Sequence, residues 1–162
     1  MLVICRLDGR LHDREGFDCG EPSLNHYLHT LATQHLRTGI AATHVLADDK
    51  APSCIFGYYS MAAAQISLDE LSVSDRRRLP RYPVPAARLA RLAVSVQQQG
   101  HGLGEALLQD AVTRCLNLRE ELGIHALLVD ALNERAARFY RQYGFRSCAT
   151  SAMTLYLPLG RG

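Results

Sequence analysis

Between Leu92 and Asp110 the chain reads Leu-Ala-Val-Ser-Val-Gln-Gln-Gln-Gly-His-Gly-Leu-Gly-Glu-Ala-Leu-Leu-Gln-Asp. A short apolar run gives way to a turn punctuated by Gly100, Gly102 and Gly104, and an amphipathic helix starts at once. Glycines permit backbone conformations that a Cβ disfavours. A helix N-terminus presents unpaired N–H groups and a partial positive charge. Together they make a cradle for a phosphorylated ligand. The plainer alternative is a strand–turn–helix corner whose glycines only allow tight packing.

Two nucleotide fingerprints are excluded. The dinucleotide motif needs glycine at its first, third and sixth positions; the sixth from Gly100 is Glu105, and the sixth from Gly102 is Leu107. A phosphate-binding Gly-Lys-Ser/Thr loop is also absent, because Lys50 is the only lysine. What remains is Gln99-x-x-Gly102-x-Gly104, with Gly100 as an extra glycine.

A second segment, Asn133-Glu-Arg-Ala-Ala-Arg-Phe-Tyr-Arg-Gln-Tyr-Gly-Phe145, carries different chemistry. Asn133 is placed to cap a helix. At 3.6 residues per turn Asn133, Ala136/Ala137 and Tyr140 share one face. Two small residues between a polar cap and a phenol leave room for a slender ligand, such as a pantetheine arm. Tyr143, one turn on, reads as packing.

The two segments resemble the GNAT acyltransferases, which pair a glycine turn behind a Leu-Ala-Val strand with Asn-x-x-Ala-x-x-Phe-Tyr-x-x-x-Gly-Phe. The likeness spans about Leu89 to Phe145. It implies an acetyl-CoA-dependent N-acetyltransferase with a mixed, mostly antiparallel sheet, splayed central strands and flanking helices. By the same resemblance, Gln99, Gly100, His101, Gly102, Leu103 and Gly104 hold the pyrophosphate. The strand Leu92, Ala93, Val94 offers a backbone N–H to the thioester carbonyl, Asn133 bonds the pantetheine, and Tyr140 protonates the departing thiolate. A phenol of reference pKa about 10 can serve a thiol of about 8.5 as general acid.

The rest of the chain resembles one branch of that family. Phe17-Asp-Cys-Gly-Glu-Pro-Ser-Leu-Asn-His-Tyr-Leu28, Gly57-Tyr-Tyr-Ser60 and Leu79-Pro-Arg-Tyr-Pro-Val-Pro-Ala-Ala-Arg-Leu-Ala-Arg-Leu-Ala-Val94 are similar to the GNAT toxins of bacterial type II toxin–antitoxin pairs. Those acetylate the α-amino group of aminoacyl-tRNA and block translation. The resemblance implies an antitoxin partner of ribbon–helix–helix type and a homodimer. Four departures stand out: Asn25 for aspartate, Ala42 for arginine, Val96 for proline and Gln99 for arginine. The last removes a charge at the phosphate site but keeps its amides.

No general base stands out, although Asp130 is placed for either that role or a strand-end structural one. An α-amino group, of reference pKa about 7.7–8.0, has a sizeable fraction already neutral and presses less for a base than lysine at about 10.4. Net charge is only +2, yet six arginines (76, 77, 78, 81, 88 and 91) fall between Arg76 and Arg91 with no acid among them. The arginine fork suits phosphate. Arg78, Arg81 and Arg91 are the candidate substrate contacts, facing an acceptor stem through its phosphates; a plain solvated face is the alternative. A small amine or a protein N-terminus remains an open acceptor, and a non-catalytic coenzyme A-binding module is a further alternative. A plain RNA-binding domain lacks the exposed aromatics interleaved with basic residues that single-strand binders use.

Length and composition frame these readings. A chain of 162 residues, 48% hydrophobic and 21% charged, suits one globular domain over 1–162. Five scattered cysteines without metal spacing point to reduced thiols in a cytoplasm and to no metal site. Neither a signal peptide nor a membrane-spanning run is evident.

The elements that must position these residues follow from periodicity. Strands are expected at Met1–Leu7, Thr43–Ala47, Cys54–Ile66, Arg88–Val96 and Ala126–Ala131, with one or two more in Arg146–Leu157. Helices are expected at Pro22–Thr38, Leu103–Leu122 and Asn133–Tyr143, and in part of Leu68–Leu79. Gly39, Gly123 and Gly144 should end the three helices. Pro80, Pro83 and Pro85 break regular structure before Arg88. This order gives an α/β or α+β class with a mixed sheet.

Overall fold

The computed structural model describes residues 1–160. Seven strands run in the order β1-β2-β3-β4-β5-β7-β6. The chain falls into two compact units: Met1–Ala62 with Ala90–Thr113, and Ala63–Leu89 with the chain from Arg114 onward.

In the first unit, β1 (Leu2–Arg6) pairs antiparallel with β2 (Ala42–Asp48), and β2 with β3 (Gly57–Ile66). The helix expected over Pro22–Thr38 is present as α1 (Pro22–His26), a π-helical turn (Tyr27–Leu31) and α2 (Ala32–Thr38). Periodicity alone does not reveal that wider turn, because Leu28 and Ala32 still face inward and are fully buried. Gly39 ends α2 in the left-handed region, φ 75°, as expected. Tyr27, Leu28, Val45, Tyr58, Phe17 and Ala93 form the core here.

Gly57 is there for space. A Cβ on it would lie 2.9 Å from the Ala93 carbonyl oxygen and 2.9 Å from Leu107 Cδ1. Only a residue without a side chain lets β3 start so close to the end of β4.

In the second unit, the Val84–Leu89 part of β4 (Val84–Val94) runs parallel to β5 (Ala126–Asp130), from Ala86↔Ala126 to Leu89↔Val129. β4 starts earlier than the expected Arg88 and ends before Val96. Pro85 does not break it: at the strand start a missing N–H costs little, and its carbonyl accepts from His125 N at 2.8 Å. β5 pairs antiparallel with β7 (Ser151–Pro158), which pairs with β6 (Arg146–Cys148). The short helix α3 (Val73–Arg76) is tied to them through Asp75, which accepts from Tyr156 Oη at 2.6 Å and pairs with Arg146.

α4 (Leu103–Leu118) stops short of the expected Leu122. Leu103, Leu107, Ala111 and Cys115 are buried, but Leu118 and Leu122 are 44% and 61% exposed, so the apolar stripe runs out. Gly123 is not in the left-handed region and is no helix cap, a correction to the expected C-terminal glycine. α5 (Glu134–Gln142) matches expectation, with Asn133 capping it and Gly144 beyond its end at φ 91°.

Candidate active site

The first unit holds the glycine turn. β4 ends at Val94 and its chain is fixed twice: Ser95 N donates to Phe56 O at 2.8 Å, and Val96 N to Asp18 O at 2.9 Å. Gly100 and Gly102 adopt φ of 83° and 77°, which a side chain disfavours. A Cβ on either would meet no heavy atom within 4 Å. The packing alternative therefore fails: these glycines serve backbone conformation and leave their surface open.

The first bond into α4 runs from Ala106 N to Gly102 O. The N–H groups of Leu103, Gly104 and Glu105 thus have no acceptor within the helix and point outward at its positive end. Leu103 is buried and anchors that end, while His101 is exposed. Gln99 has its side chain engaged within the protein. Its side-chain amide donates to Val94 O at 2.9 Å and Cys19 O at 3.1 Å, so it braces the turn from behind rather than reaching a phosphate.

The second unit holds the helix with the phenol. Asn133 Oδ1 accepts from Ala136 N at 2.9 Å, as an N-cap does. Ala137 is fully buried, and the Tyr140 ring is only 7% exposed, set edge-on against Phe139 and Phe145. Burial pushes the Tyr140 phenol well above its ordinary pKa. Among the described residues no protein group hydrogen-bonds its hydroxyl. Tyr143 packs on Phe139 with ring centres 5.1 Å apart, in keeping with its reading as a packing residue.

Asp130 has partners already. Arg88 pairs with it, and Thr154 Oγ1 donates to it at 3.2 Å. It is a strand-end tie between β4, β5 and β7, and Arg88 is no free cation.

The arginine stripe divides. Arg78 and Arg81 are exposed in the second unit, Arg78 at a left-handed φ of 70°. Arg81 lines a shallow groove of about 440 Å³ with Arg76 and Tyr82, and Tyr82 is 64% exposed. An exposed aromatic thus does stand beside the arginines. Arg91 lies in the first unit and is engaged by a neighbouring ring. Its guanidinium sits 3.7 Å from the Tyr27 ring centre, a cation–π contact that sequence spacing did not foretell. Tyr27 is itself held by His35 Nδ1 at 3.1 Å and Ser60 Oγ at 3.3 Å.

Among the described residues no cluster of three or more His, Cys, Asp or Glu could hold a metal ion, and no helix is long and apolar enough to cross a membrane.

An acetyltransferase (GNAT) domain model matches residues 42–147. The chain belongs to the GNAT acetyltransferases. This GNAT chain is 35% identical, over 90% of its length and 85% of the relative's, to a tRNA-acetylating toxin of Mycobacterium tuberculosis. It is 26% identical to a probable toxin TacT of Sinorhizobium fredii, over 97% and 91%. Among solved structures it is similar to AtaT complexed with acetyl-methionyl-tRNAfMet (TM-score 0.91, 30% identity, 98% and 95% coverage). A tyrosine-to-phenylalanine AtaT bound to acetyl-CoA and the C-terminus of the antitoxin AtaR is also similar (0.83, 29%, 98% and 93%). The GNAT fold expected from the two motifs, a mixed and mostly antiparallel sheet with flanking helices, is the one present.

Proposed function

We propose that residues 1–162 work as a single acetyltransferase domain moving acetyl from acetyl-CoA to the α-amino group of aminoacyl-tRNA, which blocks translation. Tyr140 carries this reading: a ring buried on α5, with a hydroxyl that no protein group among the described residues engages. The acceptor is carried over from the relatives, whose names record tRNA acetylation and an acetyl-methionyl-tRNA complex.

Acetyl-CoA supplies an activated thioester. The open turn Gly100–Gly104 and the first N–H groups of α4 receive its pyrophosphate, with Gln99 bracing the turn. The side-chain amide N–H of Asn133, left over from capping, bonds the pantetheine. A backbone N–H among Leu92, Ala93 and Val94 stabilises the oxyanion as it develops. The neutral α-amine attacks the carbonyl carbon, the C–N bond forms and the C–S bond breaks. Tyr140 gives its proton to the leaving sulfur while the amine releases one to water. Asp130 takes no part as base, being engaged by Arg88 and Thr154. Arg78 and Arg81 contact acceptor-stem phosphates, and Arg91 reaches substrate only through the edge that Tyr27 leaves free.

The same reading includes a cognate antitoxin with a ribbon–helix–helix portion, a homodimer and a cytoplasmic location, where charged tRNA is found. Co-purification with the neighbouring reading frame and light scattering check the first two. The central test is incubation with labelled acetyl-CoA and charged tRNA. Label should appear on the α-amine of the aminoacyl ester; label only on a small amine or a protein N-terminus overturns the acceptor.

A further inference from the structure

We infer that a second arginine groove, in the first unit and outside every residue assigned above, binds the phosphate backbone of duplex RNA. This deepens the proposed function and rests on its acceptor being a tRNA. Arg6, Arg10, Arg14 and Arg37 line a groove of about 780 Å³, with Asp8 its one acidic residue. Among the described residues no carboxylate forms an ion pair with any of the four arginines. Four unpaired cations gathered on one face repel each other and persist best where an anion bridges them.

The groove is built rather than accidental. Asp8 Oδ1 is turned into its own loop, accepting from Arg10 N at 2.9 Å, and among the described residues it forms no ion pair with the guanidinium groups, so one carboxylate stands against four cations. Asp8 N donates to Nδ1 of the buried His12 at 2.9 Å, which fixes the loop from below. Gly9 lies so close to α2 that a Cβ would stand 3.2 Å from Thr33 Cγ2. Arg14 Nη1 donates to Thr33 Oγ1 at 2.9 Å, which sets that guanidinium against the helix. A preorganised fork loses less freedom on meeting its partner.

The lining also says which polyanion fits. Its apolar members are the buried Leu7 and half-buried Leu36, so it offers no deep pocket for the aromatic or aliphatic anchor on which peptide docking depends. It has no aromatic side chain on which an unpaired base could stack. Arginines and a hydroxyl without stacking platforms suit the phosphates of a paired stem, which give affinity without sequence reading.

The test compares the full chain with its Arg10→Gln/Arg37→Gln double variant, which keeps the Arg14–Thr33 contact. Binding to a short RNA hairpin and to uncharged tRNA is measured across a salt series, with polyglutamate as a second probe. Acetyl-CoA affinity and Tm show that the variant is folded. Each lost phosphate contact should lower the slope of log K against log salt by about 1, so the pair should lower it by about 2 and weaken binding on the order of tenfold at low salt. An unchanged slope in a folded variant overturns the groove. Weakened polyglutamate binding with unchanged RNA binding overturns it in favour of an acidic protein. If the double variant lowers the slope as expected but wild type never acetylates charged tRNA, the proposed function fails and the groove stands as a duplex-RNA site. If wild type acetylates charged tRNA and the slopes coincide, only the groove fails.

Discussion

The glycine turn before α4 and the capped helix α5 are made of different material. The proposed function assigns the turn from Gly100 to Gly104 to binding through backbone N–H donors, with Gly100 and Gly102 held at positive φ beside open space. Around α5 the group it assigns to the chemistry is a side chain, Tyr140, whose ring is buried against Phe139 and Phe145. The difference teaches where each should fail. A side chain that reacts is lost in one substitution with its scaffold intact. A backbone that binds is damaged only through its conformation, so stability and affinity should fall together.

The largest effect expected is at Tyr140. Tyr140→Phe removes one oxygen from a packed ring, so Tm should stay within about 1 °C of wild type while kcat falls roughly 10²–10⁴-fold, the usual worth of a positioned acid. Stopped-time acetylation of charged tRNA measures this, and a variant within threefold of wild type would remove Tyr140 from the chemistry. The pH profile sharpens the point. Burial raises the Tyr140 pKa, so the protonated donor persists beyond its ordinary range and this group imposes no alkaline fall in rate below about pH 10. The rate should instead climb as the acceptor amine loses its proton, with its midpoint near pH 8 and a plateau from about pH 9. A climb continuing to about pH 10 would indicate a lysine-like acceptor.

Gly57→Ala should be next, and on the backbone side. The added methyl meets Leu107 Cδ1 and the Ala93 carbonyl oxygen at 2.9 Å, and the second is backbone that does not yield cheaply. About 1–3 kcal/mol of stability should be lost, read as a lowered midpoint in urea. Gly102→Ala tests the same idea without a clash, since the space beside it is open. Holding alanine at φ 77° costs about 1–2 kcal/mol. If the turn relaxes to avoid that cost, KM for acetyl-CoA should rise about tenfold with kcat little changed. A fall in kcat at constant KM would break the distinction between the two segments.

How legible each part was follows the same division. The α5 segment could be read closely because its signals are local: a cap, two alanines, a phenol and a terminal glycine within one stretch. The glycine turn could be located but not interpreted, since Gly-x-Gly spacing fits both packing and an open cradle until the space beside each Cα is known. Pro85 misled on the start of β4, because the same residue breaks a strand interior and opens a strand. The arginines show the limit most clearly. The run from Arg76 to Arg91 is conspicuous in sequence, yet folding ties Arg88 to Asp130 and stacks Arg91 on Tyr27. Arg6, Arg10, Arg14 and Arg37 are unremarkable in sequence, and only β1, its loop and α2 gather them.

Asn133 is the residue at which the two kinds of segment meet, and it carries the smallest predicted effect. Its Oδ1 serves the backbone of α5 by accepting from Ala136 N. Its Nδ2 is the donor assigned to pantetheine. Asn133→Ala deletes both and should cost about 1 kcal/mol, or about 2–4 °C in Tm, together with weaker acetyl-CoA binding. Asn133→Asp keeps an oxygen for the cap, and its charge suits a helix N-terminus. It should hold or raise Tm while still weakening acetyl-CoA binding severalfold, because the donor has become an acceptor. Thermal scans with and without acetyl-CoA separate the two roles. If Asn133→Asp binds acetyl-CoA as wild type does, then Asn133 is a cap alone, and α5 contributes one side chain, Tyr140, to the donor rather than two.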